Sequence, residues 1–268
     1  MLGKLLKYEL KSMAHYFVPL FAATLLFSVL IPLYGNVFGN NSYWISGLLI
    51  FVEAVLIIAL TVMALVITIQ RFYKNLLGQE GYLMFTLPVN THHNILSKLL
   101  AAMLWNTGAL LIVALSVIII MAGSGNISQI FIALWRLFND TFATASLNPF
   151  LMLFEWTVIG IINLASNILL LYLAMSIGQL ANEHKFLASF GAYLGLEVIL
   201  SIITAIIGVI ITNLPEAWSN GFQIWYAALS PAAAMHLATL GLALISMVCS
   251  VLYYFITHWL LKHRLNLT

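Results

Sequence analysis

The chain has 268 residues, of which 63% are hydrophobic and only 7% charged, with a mean hydropathy of +1.06. Soluble domains carry about a quarter charged residues, so a water-soluble globular protein is excluded. The net charge of +2 decides nothing by itself, because what matters is where the charges fall.

The expected fold is all-α. It is a polytopic membrane protein with six transmembrane helices, an N-terminal amphipathic elbow helix and short outer interfacial helices. At ~20 residues per crossing, six helices use most of the length and leave little for a separate soluble domain. Residues 1–15 pattern as an amphipathic helix, with Leu2, Leu5, Leu6, Leu10 and Met13 on one face and Lys4, Lys7, Tyr8 and Lys11 on the other. That pattern suits a helix lying in a membrane surface and is too charged for a cleavable signal peptide. The first span is expected near 16–34, with Pro19 and Pro32 close to its ends, and the second near 45–70.

A polar-bearing break at 71–94 precedes a third span near 95–121. Residues 123–148 are not expected to span. Ile127, Ile130, Phe131, Leu134, Phe138 and Phe142 recur there at helical spacing, interrupted by Gln129, Arg136, Asn139 and Asp140, which reads as an outer surface helix. A fourth span near 149–177, a polar loop from Gln179 to Lys185, and a fifth span near 186–211 follow. Residues 213–235 are broken by Pro215, Glu216, Gly221 and Pro231 and carry Trp218, Phe222, Trp225 and Tyr226, aromatics of the kind that anchor at headgroups. The sixth span is expected near 236–260.

Charge placement orients the bundle. With the amino terminus inside, Lys4, Lys7, Lys11, Arg71, Lys74, Lys98, Lys185, Lys262 and Arg264 all fall on the inner side, and of the ten basic residues only Arg136 falls outside. The positive-inside rule then places both termini in the cytoplasm, with the protein in the cytoplasmic membrane. The lone cysteine, Cys249, lies in an apolar run, so no disulfide framework exists and a packing role is expected.

Two features are candidates for function. The break from Arg71 to Pro88 holds two basic residues, one acid, two glycines and four rings (Phe72, Tyr73, Tyr82 and Phe85). It reads either as a cytoplasmic loop that docks on a soluble partner or as an interfacial turn with its aromatics at the lipid headgroups. Inside the spans, Glu197 heads a stripe with Tyr193, Ser201, Thr204 and Gly208, and Asn163, Ser166 and Asn167 form a second. Glu53 and Glu155 are expected near the outer helix ends, close to water. An ionised side chain at the bilayer centre costs roughly 3 kcal/mol, so Glu197, Ser201, Asn163 and Asn167 read either as a substrate path or as interhelical hydrogen-bonding groups.

Chemistry-bearing motifs are missing from the sequence. There is no phosphate loop, no His-Glu-x-x-His zinc motif and no nucleophile elbow. The basic residues hug the membrane edges, which argues against a nucleic-acid surface. The chain is therefore expected to be no enzyme and to hold no metal.

The opening Met1-Leu2-Gly3-Lys4-Leu5-Leu6-Lys7-Tyr8-Glu9-Leu10-Lys11 resembles the elbow helix of bacterial ATP-binding-cassette (ABC) exporter permeases of the type-2 class. The Arg71–Pro88 stretch, followed by Ile95-Leu96-Ser97-Lys98-Leu99-Leu100, resembles their first cytoplasmic loop. Close likeness covers about the first hundred residues, and the rest agrees in layout. The resemblance implies a permease subunit that pairs with a second copy or a sister permease, embedded among membrane lipids. It also implies partner ABC ATPase subunits that bind ATP and magnesium, leaving this chain without a cofactor of its own. The family's coupling helix falls here on about 78–86, with Gly78, Gln79, Glu80, Gly81, Tyr82 and Phe85 as the contacts. The Gln179–Lys185 loop is a second contact. Family substrates include peptides, drugs, lipids, glycans and ions, an antimicrobial peptide or a drug being the kind expected. The alternatives are a peptide-sensing or immunity protein on the same scaffold and, from another class, an intramembrane enzyme.

Overall fold

The computed structural model describes residues 2–38, 43–77, 91–123, 125, 127–144, 148–181, 183–213, 215, 221, 224–225 and 227–263. These form α1 (Leu2–Phe38), α2 (Tyr43–Phe72), a π-helical turn (Tyr73–Leu77), α3 (Thr91–Gly123), α4 (Ile127–Thr144), α5 (Pro149–Gly178), α6 (Lys185–Thr212) and α7 (Pro231–His263). All but α4 are long and apolar enough to cross a membrane. The protein is an all-α polytopic membrane protein with six candidate spans. No strand occurs among the described residues, as hydrocarbon demands of a chain that must satisfy its own backbone.

Local chemistry sets several of the boundaries. Asn148 caps α5, its Oδ1 accepting from the amides of Phe150 (3.1 Å) and Leu151 (3.4 Å), while Pro149 fills the first position, where no amide is needed. His184 turns the chain into α6 in the left-handed region, with φ of 51°. The shorter α4 matches the expected surface helix. Phe131, Trp135 and Phe138 stack along one side of it.

The expected elbow is not a separate helix. Residues 2–15 are the first turns of α1, which runs unbroken through Pro19 and Pro32. The reason is packing. Met13 and Phe17 are fully buried, and Leu6 and Leu10 pack against the same cluster, so part of the face assigned to lipid is held by protein instead. Two further boundaries differ from expectation: α3 already begins at Thr91, and α7 at Pro231.

The chain divides into two compact units, Met1–Leu76 with Glu80–Asn139 and Leu77–Gln79 with Asp140–Thr268. In the first, α1 packs mainly on α3 and also on α2. Phe17 stacks on Trp105 at 5.0 Å, the Phe21 ring faces Gly108 closely enough that an added Cβ would touch it, and Pro32 abuts Gly123. These contacts advance in the same order along both helices, so α1 and α3 run parallel. A core of Met13, Phe17, Leu60, Ala64, Ile67, Ala101 and Ala109 joins all three helices. Lipid tails are as apolar as these side chains, so close contact rather than water avoidance holds such helices together. Small residues at the seam permit that approach.

In the second unit, α5 packs mainly on α7 and also on α6. Each unit thus follows one plan: a first helix touching both others, most of all the third. The stretches joining second to third helix, 73–90 and 213–230, are equal in length. The α6 side chains are the least enclosed, all of them exposed from Ser201 to Asn213. The turn from α5 into α6 depends on Gly178, where a Cβ would overlap the hydroxyl and backbone of Ser189. Gly178→Ala is expected to push α6 off α5 and to destabilise the protein by roughly 1–3 kcal/mol. A fall in melting temperature in detergent, absent for Gly160→Ala, where the space is open, checks this.

Candidate functional site

Residues Gly78, Gln79, Glu80, Gly81, Tyr82 and Phe85, expected to dock on a partner, lie outside the described residues. Their flanks are described. Phe72 and Leu76, at the end of α2 and in the π-helical turn, are completely buried, as are Ile95 and Ala101 on α3. Phe72 is therefore a packing residue rather than one of the rings offered to a partner. π-Turns recur at functional sites, and this one closes the α2 span directly before residue 78.

An ion pair lies within the same end of the unit. Lys98 Nζ donates to Glu9 Oε1 at 2.5 Å, with the lysine side chain 1% and the glutamate side chain 10% exposed. It ties the third turn of α1 to the start of α3. Counting Lys98 as a basic residue at this end of the bundle holds, but it is an interior residue, and its partnership with Glu9 was not read from the sequence. Eighty-nine residues separate the two, and no local spacing signals such a contact. Around the pair, Asn94 and Ser97 are buried, and Asn94 Nδ2, His93 Nδ1 and Glu9 Oε2 have no hydrogen-bond partner among the described residues.

Farther along the unit, Asn106 Nδ2 donates to Thr68 Oγ1 (3.2 Å) and to the Ala102 carbonyl (2.8 Å), linking α2 to α3. Glu53, expected near water, is instead 3% exposed. Helix α2 carries it inward against α3, where Ser116 lies beside it.

In the second unit the polar groups form rungs between α5 and α7. The Glu155 carboxylate meets His236 Nδ1 at 2.8 and 3.0 Å and accepts from Thr239 Oγ1 at 2.7 Å. Two turns on, Ser246 Oγ donates to Asn163 Oδ1 at 2.9 Å. Asn163 is thus an interhelical hydrogen-bonding group, whereas Asn167 is exposed. Glu197 is half-buried on α6 and interacts with the Tyr193 hydroxyl one turn earlier. Ser201, exposed, gives its proton to the Glu197 carbonyl (2.9 Å), and Thr204 to that of Leu200 (2.5 Å). Among the described residues, neither Asn163 nor Asn167 hydrogen-bonds to the α6 stripe. In the Gln179–Lys185 loop, Gln179 is buried and Leu180 exposed.

No family model matches this chain, and neither does any curated protein or solved structure. The site is therefore read from its chemistry. Among the described residues no three His, Cys, Asp or Glu side chains are placed to share a metal ion. The polar groups are ion pairs, hydroxyls and amides set between helices.

The Glu9–Lys98 pair separates two energetic effects. Removing one partner strands a buried charge and costs roughly 3–5 kcal/mol, while replacing both by apolar groups of similar size is near neutral. Lys98→Met is expected to lower the melting temperature sharply, and Glu9→Leu combined with Lys98→Met to restore most of it. Thermal melts of the two single variants and the double variant in detergent measure this.

Proposed function

We propose that the chain is the transmembrane permease subunit of an ATP-driven exporter of the type-2 ABC class. It would move a substrate outward across the cytoplasmic membrane on work done by a separate ATPase subunit. The observation that carries the reading is the braced base on either side of residues 78–90. Phe72, Leu76 and Ile95 are fully buried there, and the Glu9–Lys98 pair pins α1 to α3 beside them. A loop that transmits force needs a footing that does not yield, and a headgroup turn has no such need.

The sequence supports the same reading. It has six spans and no phosphate loop of its own. Its basic residues gather on the side that the positive-inside rule assigns to the cytoplasm. Each unit holds three candidate spans. The docking contacts are Glu80, Tyr82 and Phe85, reached through Gly78, Gln79 and Gly81, and a second copy or sister permease completes the membrane part. The substrate class proposed is an antimicrobial peptide or a drug.

Replacing Glu80, Tyr82 and Phe85 together by Ala is expected to abolish co-purification of a nucleotide hydrolase while leaving the melting temperature of the chain unchanged. Cysteine at position 82 is expected to react with a membrane-impermeant maleimide only after the cells are opened. Labelling of intact cells at that position, or an ATPase that stays bound to the triple variant, overturns the assignment.

A further inference from the structure

Glu53 is 3% exposed, and among the described residues neither carboxyl oxygen has a partner within full hydrogen-bonding geometry. Ser116, beside it on α3, is completely buried and gives its proton to the Val113 carbonyl at 2.8 Å. On α1, the Phe17–Trp105, Phe21–Gly108 and Pro32–Gly123 contacts set an offset of 87 to 91 residues between α1 and α3. Ser28 is therefore level with Ser116, and Thr24 lies one turn before it. Both hydroxyls are completely buried, and both are spent on their own helix, Thr24 on Leu20 (2.9 Å) and Ser28 on Leu25 (2.9 Å). Of the three hydroxyls, that of Ser116 lies beside the carboxyl, and those of Ser28 and Thr24 lie on α1 near the same level.

No fixed charge offsets the acid. On α1 the titratable groups Lys4, Lys7, Tyr8, Glu9, Lys11, His15 and Tyr16 precede the span, and Tyr34 stacks on Phe38. On α2 there are only Tyr43 at the start and Arg71 at the end. On α3, His92, His93 and Lys98 sit in the first turns. Lys98 precedes Ser116 by eighteen residues, about 27 Å along a helix at 1.5 Å per residue. An anion so placed lacks both solvent and counter-ion, and burying one is far costlier than burying the neutral acid.

We propose that Glu53 is a proton-binding site of the first helical unit, holding its proton as a neutral carboxylic acid in the enclosed space beside Ser116. The proton is taken from water when the seam between α1, α2 and α3 opens and returned to water when it opens again, and no other bond changes. The second unit differs: Glu197, also on a middle helix, has a tyrosine hydroxyl beside it. The inference does not depend on the export reading.

The test uses the full chain in lipid nanodiscs. Infrared spectra should show a protonated-carboxyl band near neutral pH that moves in heavy water, shifts in Glu53→Asp and disappears in Glu53→Gln. The folded chain would hold a proton that the unfolded chain releases, so wild-type stability should fall as pH rises above the ordinary carboxylate range, beyond any fall in Glu53→Gln. Glu53→Gln should melt within a few degrees of wild type at neutral pH. Ser116→Ala should shift the band without removing it, and it keeps the test decisive should Glu53→Gln fail to insert. A band unchanged in Glu53→Gln or Glu53→Asp, or no protonated band at all in wild type, overturns the proposal. So does stabilisation of wild type by sodium over choline that Glu53→Gln loses, which would mean a bound metal cation in place of the proton.

Discussion

A charge enclosed between helices has to be neutralised where it stands, and the closure of Lys98 on Glu9 inside the first unit does this for both. The pair does not make the unit stable in any simple sense, since desolvating both ions offsets most of their attraction. What it supplies is position. With one partner shifted along its helix, the other is left buried and unpaired. The pair therefore fixes the level of α1 against α3. The stacking of Phe17 on Trp105 and the fit of Pro32 to Gly123 carry the same alignment to the far end. It also accounts for the first turns of α1 staying in line with the span rather than turning along a membrane surface.

The second unit meets the same constraint in another way. Its carboxylate, Glu155, lies near the start of the first helix of its triplet, as Glu9 does. Its partner, His236, lies near the start of the third helix, as Lys98 does. The side chains there are partly exposed, at 14% for Glu155 and 22% for His236, so solvent shares the work and a histidine with a threonine suffices. The Asn163–Ser246 rung then continues the alignment in neutral groups. Both units are thus held between first and third helices by one acid with its partner, followed by packing. Their middle helices are tied less closely, and each carries a single carboxyl, Glu53 in one and Glu197 in the other.

This arrangement bears on mechanism. In each unit the strongest seam is between first and third helices, and the middle helix is the freer element. Residues 78–90 follow a middle helix, α2, and lead into a third, α3. On the proposed reading, a push delivered there would act on the weaker seam against the stronger one. Glu53 and its neighbour Ser116 lie on the α2–α3 side of the same unit.

The sequence alone determined the class and the number of crossings, because apolar runs of bilayer length interrupted by charge have no other stable home. All six spans lie within helices whose ends differ from expectation by a few residues, apart from α1, which also takes in the expected elbow. The amphipathic α4 was legible from its spacing. Glu197 drew attention because it stands alone in the middle of an apolar run, while Glu53 was discounted for standing nearer an end. Only the tertiary structure decided which of them is enclosed. Burial depends on the faces that neighbouring helices present, and a carboxyl ten residues into α2 is deeply covered once α3 lies over it. The Glu9–Lys98 and Glu155–His236 pairs were illegible for the same reason: their partners are more than eighty residues apart, and helix packing, not sequence spacing, brings them together.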